Sequence, residues 1–268
     1  MTPFSFQEGI LFLYTIIISG LIGVIAFAGS GKTEALNSLP DKVRIGAFSQ
    51  SPPSEIPPTN WESLTFPNID RITQYRLTRH QQIVVMQARS QASASGLIRK
   101  LRFNASEHPW LSWRWKIEHV LEKGDLRVKQ GDDYAARIYV AFEFEPRQAS
   151  LWERIAHSVA STSAGRELPG TILTYIWANQ APQGTIADNP YSEQVKMIAL
   201  QSGNARANQW IDEKRHIAED YRRVFGREPP PAMGIAMMTD TDNTGESATA
   251  YYGDITLSRN EPAVSKAH

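Results

Sequence analysis

Runs that alternate between apolar and polar residues, parted by Gly, Pro, Asn and Asp, fill the chain from Lys42 to Arg259. About ten of them repeat at period two, the spacing of strands that bury one face, among them KVRIGAFS, QIVVMQARS, WLSWRWKIEHV, DYAARIYVAFEFE, TILTYIWAN, GIAMMTDT and AYYGDITL. Strands with one apolar face must stack to hide it. The pattern therefore predicts a mainly β fold, an antiparallel β-sandwich or jelly roll with two short helical insertions. Leu151, Trp152, Ile155, Ala156 and Val159 mark the first helix, and Ile217, Tyr221, Val224 and Phe225 the second. Asp212 is expected to cap the second helix, and Gly226 ahead of three prolines to stop it.

One stretch departs from the alternation. From Ile10 to Ala28 run 19 residues without a charge, apolar except at Thr15, Ser19, Gly20 and Gly23. At about 1.5 Å per residue they reach nearly across a hydrocarbon core of roughly 30 Å. Ala26-Phe27-Ala28 has the form of a signal-peptidase site, whereas Glu8 and the lack of Lys or Arg before the run suit a signal peptide poorly. Residues 1–28 are read as a signal peptide or N-terminal membrane anchor, 29–41 as a linker, 42–259 as a single β-sandwich domain and 260–268 as a flexible tail. The expected location is extracytoplasmic, periplasmic or secreted, with membrane contact only through residues 10–28 if they are retained.

Charge and cysteine content narrow the chemistry. Lys and Arg total 28, Asp and Glu total 28, and no basic run occurs, so nucleic acid is not an expected partner. With no cysteine there is no disulfide, thiol nucleophile or Cys-ligated zinc, and packing alone must hold the fold. The six histidines show no metal-ligand spacing, and neither a G-x-S-x-G nor an H-E-x-x-H string is present.

The candidate ligand site comes from parity in the run Asp132 to Phe144. One parity places Tyr134, Ala136, Ile138, Val140, Phe142 and Phe144 toward a core. The other places Asp133, Ala135, Arg137, Tyr139, Ala141 and Glu143 on a polar and aromatic face, either solvated or lining a groove. Asp133 and Arg137 lie too far apart along a strand to pair, so each needs a cross-strand partner, with Lys116, Arg114, Asp254 and Arg215 as candidates, or a ligand. Seven tryptophans supply rings for stacking on sugar C–H groups. Trp115 and Trp177, flanked by Tyr139 and Tyr175, complete a candidate ligand-binding set with Asp133 and Arg137. In WLSWRWKI the parity also sets Arg114 and Lys116 opposite Trp113 and Trp115.

Thr239 to Gly245 (TDTDNTG) offers Asp240, Asp242 and Thr244 at alternate positions, as in the first half of a calcium loop, but Tyr251 stands where the bidentate Glu would be. The string reads as a turn held by its own side chains or as a different, calcium-like structural site; no other cofactor is expected. Two of Asp133, Glu143, Asp240 and Asp254 could serve as the carboxylate pair of a glycosidase.

The strings ASASGLIRKL, LSWRWKIE, GDDYAARIYVAFEF, LPGTILTYIWAN, IAEDYRRVFGREPPP and IAMMTDTDNTGESATAYYGDI resemble the bacterial family called domain of unknown function 3047, from about Ile45 to Leu257. The resemblance implies an exported protein of Gram-negative bacteria and assigns no established activity, cofactor or catalytic residue. The first strand and the final run, placed to pair as neighbours, are similar to those of galactose-binding-like and carbohydrate-binding-module-like jelly rolls. The function expected is binding of a carbohydrate or other polar ligand such as a cell-envelope polysaccharide. A polysaccharide hydrolase or lyase and a non-catalytic structural or assembly protein of the envelope are the alternatives.

Overall fold

Strand β1 spans Lys42–Gly46, β2 Glu62–Leu64, β3 Gln74–His80, β4 Ile83–Gln91, β5 Ala94–Phe103, β6 Trp110–Ile117 and β7 Arg137–Phe142. They are followed by β8 Thr171–Ala178, β9 Ile186–Asn189, β10 Ser192–Ser202, β11 Ile211–His216, helix α1 Ile217–Phe225, β12 Ala232–Asp240, β13 Ser247–Tyr252 and β14 Ile255–Ser258. This computed structural model describes residues 39–66, 69–147 and 168–263, with 154, 157, 158 and 161 between them. The segment Ile10–Ala28, most of the linker, residues 264–268 of the tail and most of the first expected helix lie outside the described residues. Among the described residues no helix is long and apolar enough to cross a membrane.

The strands form two stacked sheets. The first runs β1-β14-β6-β13-β4-β3, with β11 also on β6, and the second β2-β5-β12-β7-β8-β10-β9. The β-sandwich read from the alternation is thus present. Pairing is antiparallel except between β8 and β10, because β9 folds back on β10 as the outer edge and leaves β10 parallel to β8. As expected, β1 pairs with the last strand, β14, Val43 opposite Leu257. The final run is two strands, broken at Gly253, where an added Cβ would come within 2.3 Å of Arg114 Cγ. Strand β11 (IDEKRH) escapes an alternation reading because its apolar content is a single Ile. It pairs along its own whole length with Trp110–Trp115 of β6 and sends polar groups both inward and outward.

Between the sheets lies one apolar layer. Ile138, Val140 and Phe142 of β7 join it, as their parity predicts, with Leu173, Tyr175 and Trp177 of β8 and Leu111, Trp113, Trp115 and Ile117 of β6. Trp113 meets Trp115 edge-on at 5.4 Å, and Trp115 lies 6.0 Å from Trp177 across the layer. Buried indole N–H groups need acceptors. That of Trp115 donates to Glu213 Oε1 at 3.2 Å and that of Trp177 to the Gly203 carbonyl at 3.0 Å, while the Tyr175 hydroxyl donates to Asp220 Oδ2 at 2.8 Å.

Parity fails at both ends of its range. Residues 134–136 are not strand, and Tyr134 turns to the outer side of the second sheet with Ile176, Ala178, Met197 and Ala199. The opposite face of β7 is neither solvated nor a groove: Tyr139 and Ala141 pack with Ile98, Ala236 and Met238 in a cluster that includes Leu64 and Phe66. The second sheet is therefore apolar on both faces. The cap of α1 is also corrected. Asp212 belongs to β11, and the helix starts at His216, whose Nδ1 accepts the Glu219 N–H at 3.1 Å. Gly226, at φ +68°, ends it as expected.

Trp115→Ala, which empties the middle of this layer, is expected to lower unfolding free energy by about 3–5 kcal/mol. Trp210→Ala, at a half-buried position outside it, should cost about 1 kcal/mol or less. Urea midpoints of the two variants check the contrast.

Candidate functional site

Four carboxyls and one guanidinium meet where the sheets are joined. Asp132 and Asp133 precede β7, Arg137 opens it, Asp240 closes β12, and Asp242, Asn243 and Thr244 lie in the turn from β12 to β13. Asp132 and Asp133 are 0% exposed, Arg137 and Asp240 1%. Arg137 Nη2 donates to Asp240 Oδ2, Nη1 lies 3.6 Å from Asp132 Oδ1, and the guanidinium sits over the rings of Tyr134 at 4.9 Å and Tyr139 at 5.7 Å. Asp133 accepts from Asn243 Nδ2 at 3.1 Å and from the Thr244 N–H at 2.6 Å, and Asn189 Nδ2 donates to Asp132 Oδ2 at 2.8 Å.

Asp133, Arg137 and Asp240 thus converge, but inside the protein. Their partners are not the expected ones: Arg215 pairs with Asp220, Asp254 accepts from Ser49, Lys116 bonds His80, and Arg114 lies over Trp210. Of the aromatic candidates, Trp115, Tyr175 and Trp177 are 0% exposed and Tyr139 is 7% exposed, so these rings belong to the packed interior and offer no stacking face. Glu143 is held by Arg102 and Asp254 by Ser49, so neither faces the converged aspartates.

Oxygens of Asp133, Asp240 and Asp242 lie within 4.8 Å of one another. A calcium ion requires about 6–8 oxygen ligands. Here Asp133 and Asp240 already accept from protein N–H groups on both oxygens, and Thr244 turns its N–H, not its hydroxyl, toward Asp133. These hydrogen bonds occupy oxygens that a cation would need. Burial first, then the charge of Asp133 and a hydrogen bond between the two carboxyls, push Asp242 up to about 6, and burial raises Asp132 as well.

Two predictions follow from this knot. Removing one partner of a buried ion pair strands the others, so Arg137→Ala is expected to cost about 3–5 kcal/mol by urea denaturation. Asp242 holds its proton more tightly folded than unfolded. Its contribution is complete below about pH 4, near the unfolded pKa, and is lost as pH rises through the folded value of about 6. Asp242→Asn, a fixed mimic of the neutral acid, should gain about 1–2 kcal/mol over wild type at pH 8 after allowance for partial exposure, and little at pH 4. Denaturation curves of both proteins at the two pH values test this.

Another polar surface lies on the outer side of the first sheet, where Arg76 and Lys116 are half-buried and Gln87 and Tyr251 between them are 4% and 8% exposed. Register aligns Arg76, Gln87, Tyr251 and Lys116 in a row across β3, β4, β13 and β6. Arg76 Nε donates to Gln87 Oε1 at 2.8 Å, Gln87 Nε2 to the Tyr251 hydroxyl at 3.1 Å, and that hydroxyl to Glu118 Oε1 at 3.0 Å. Lys116 stands 5.4 Å from the Tyr251 ring, and His80 packs on the same ring at 4.6 Å. Beside the row the Arg114 guanidinium lies 4.4 Å from the half-buried Trp210 ring, and Lys214 5.5 Å from that of half-buried Trp110. Arg76, Gln87 and Arg89 also line a cleft of about 390 Å³ with Glu55, Thr73 and Tyr75, between the edges of the two sheets. The parity of WLSWRWKI already put Arg114 and Lys116 on this face. Trp210 and Tyr251 carried no local signal, since only pairing across strands brings them alongside.

Two stacked sheets, pinned by an internal ion cluster and polar on one outer face, define a two-layer β-sandwich. The chain belongs to the family described as protein of unknown function (DUF3047), whose model matches residues 59–256. No curated protein matches the sequence. Among solved structures it is similar to the Endo-D glycoside hydrolase domain Spr0440 from Streptococcus pneumoniae R6, at 8% identity and TM-score 0.31, covering 75% of this chain and 22% of that one. It is also similar to a cellulase derived from Cel12A of Rhodothermus marinus, at 8% identity and TM-score 0.39, covering 81% and 98%. A third is the xyloglucanase domain of NopAA from Sinorhizobium fredii, solved with cellobiose, at 8% identity and TM-score 0.35, covering 74% and 97%.

Proposed function

We propose that this protein is an extracytoplasmic glycan-binding module whose binding surface is the outer face of the first sheet. The observation that carries the reading is the cross-strand row Arg76-Gln87-Tyr251-Lys116 beside the half-buried indoles of Trp110 and Trp210. Sugars are bound by rings that pack on their C–H groups and by fixed polar groups that bond their hydroxyls. Arg76 and Lys116 supply the second component in a pre-ordered form: the buried Gln87 and Tyr251 between them bond each other, hold Arg76 Nε and lie against the Lys116 ammonium, so the two cations lose little freedom on binding. The cleft of about 390 Å³ continues from Arg76 and Gln87 and has room for part of a chain.

Binding without hydrolysis is the favoured form of this reading. Asp133 and Asp240 are sealed in the interior, and Glu143 is held by Arg102, so these carboxyls present no facing pair to a glycosidic bond. Affinity electrophoresis of the full chain in gels containing cell-envelope or plant polysaccharides tests the proposal. Retardation should occur in at least one gel and be reduced about tenfold or more by Trp210→Ala, because a stacked ring contributes on the order of 1.4 kcal/mol. Retardation unchanged in Trp210→Ala, or absent from every gel, would sink it.

A further inference from the structure

The outer face of the first sheet carries more than a hydrogen-bonding row. Arg114, Lys116 and Arg89 all point outward, and none is paired with a carboxylate among the described residues. Elsewhere on this face cations are paired: Arg76 lies 3.4 Å from Glu55, and Lys214 bonds Glu261. Arg114 is fixed in two ways: Gly253 leaves the space its stem occupies, and Trp210 lies against its guanidinium; its buried Nε has no hydrogen-bond partner. Lys116 is two residues along the same strand, so its ammonium issues from the same face about 7 Å away. It bonds His80 Nε2 at 3.2 Å, which places the imidazole as its acceptor. Burial first, and then Lys116 and Arg114, hold His80 below its ordinary pKa despite Glu118, which supports a positive local field.

From these positions we propose that the glycan taken by this face is acidic, with carboxylates seated on Arg114 and Lys116 and the sugar rings beside Trp210. The proposal rests on the glycan-binding reading above and specifies its substrate class. A planar guanidinium and an ammonium held at fixed spacing match carboxylates on successive residues of a polyuronate. A nucleic acid is the weaker fit, since its binding draws on many phosphate contacts and the chain has no net positive charge. A membrane surface fits less well too: of the exposed large apolar side chains only Ile83, opposite His80, lies on the strands of this sheet, whereas Ile56, Ile72, Val128 and Ile186 lie off them.

Titration calorimetry of the full chain against polygalacturonate, a neutral β-glucan, a single-stranded oligonucleotide and anionic phospholipid vesicles decides the matter. Polygalacturonate should bind tightest, and its affinity should fall as salt is raised. Lys116→Gln and Arg114→Gln should each weaken it about tenfold, the scale of one charge-assisted hydrogen bond, a larger loss than either causes toward the neutral glucan, for which Lys116 acts only as one hydrogen-bond donor of the row. Lys116→Gln keeps the test decisive if loss of the buried Arg114 stem unfolds the other variant. Equal binding of the neutral glucan, or polygalacturonate binding indifferent to both substitutions, overturns the acidic specificity and leaves glycan binding standing. No binding of either glycan overturns both readings. Tighter binding of the oligonucleotide or the vesicles overturns the acidic-glycan assignment in favour of that partner.

Discussion

Arg137 is the charge on which the junction of the two sheets depends. Its guanidinium is enclosed by Asp132, Asp240 and the rings of Tyr134 and Tyr139, and through Asp240 it reaches the turn that carries the chain from the second sheet to the first. A buried ion is tolerated only when its charge and its hydrogen-bonding groups are met, and the cluster meets most of them with backbone and amide groups from separate segments. Register follows from that requirement. Sliding β12 by one residue against β7 would turn Asp240 away from Arg137 and expose to the interior a charge with no partner.

The division of labour between the sheets follows from what covers them. The second sheet is apolar on both sides, with Trp177 and Tyr175 facing inward and Tyr139, Ala236 and Met238 in the outer cluster. The first sheet is fully covered on its inner side only, its outer side burying Val85, Gln87 and Tyr251 but leaving the rest of that side partly open. Along β6 the inward residues Leu111, Trp113, Trp115 and Ile117 alternate with outward Ser112, Arg114 and Lys116, and the outward set meets water. A ligand surface built on that side inherits the rigidity of a seven-stranded sheet, because along β6 every outward side chain is anchored by an inward one a residue away.

The alternation was sufficient for the β-sandwich and for the core-facing residues of β6, β7 and β8. It could not say which of two polar faces is open, because burial of an outer face depends on segments distant in sequence. Arg137 and Tyr139 look like Arg114 and Lys116 by parity alone. The first pair is sealed in the second sheet, whereas the second pair lies on the bare side of the first. Trp content misled for a similar reason: Trp115 stands between Arg114 and Lys116 and Trp177 two residues from Tyr175, yet their N–H groups find acceptors inside the fold. Strand β11 was invisible because its inward side carries polar groups, Glu213 serving Trp115 and Arg215 serving Asp220, while Lys214 on the other side pairs with Glu261.

The balance of 28 cations against 28 acids conceals a separation of charge. Four carboxyls gather round one guanidinium at the sheet junction, an acidic excess that burial relieves by raising Asp132 and Asp242 rather than by recruiting another cation. Arg114, Lys116 and Arg89, left without carboxylate partners among the described residues, lie on the outer face of the other sheet. Had those cations been drawn to the junction, the cluster would be neutral and the outer face would lose its field. Neutrality of the whole chain therefore reflects two local imbalances of opposite sign, one consumed in holding the sheets together and one presented to solvent.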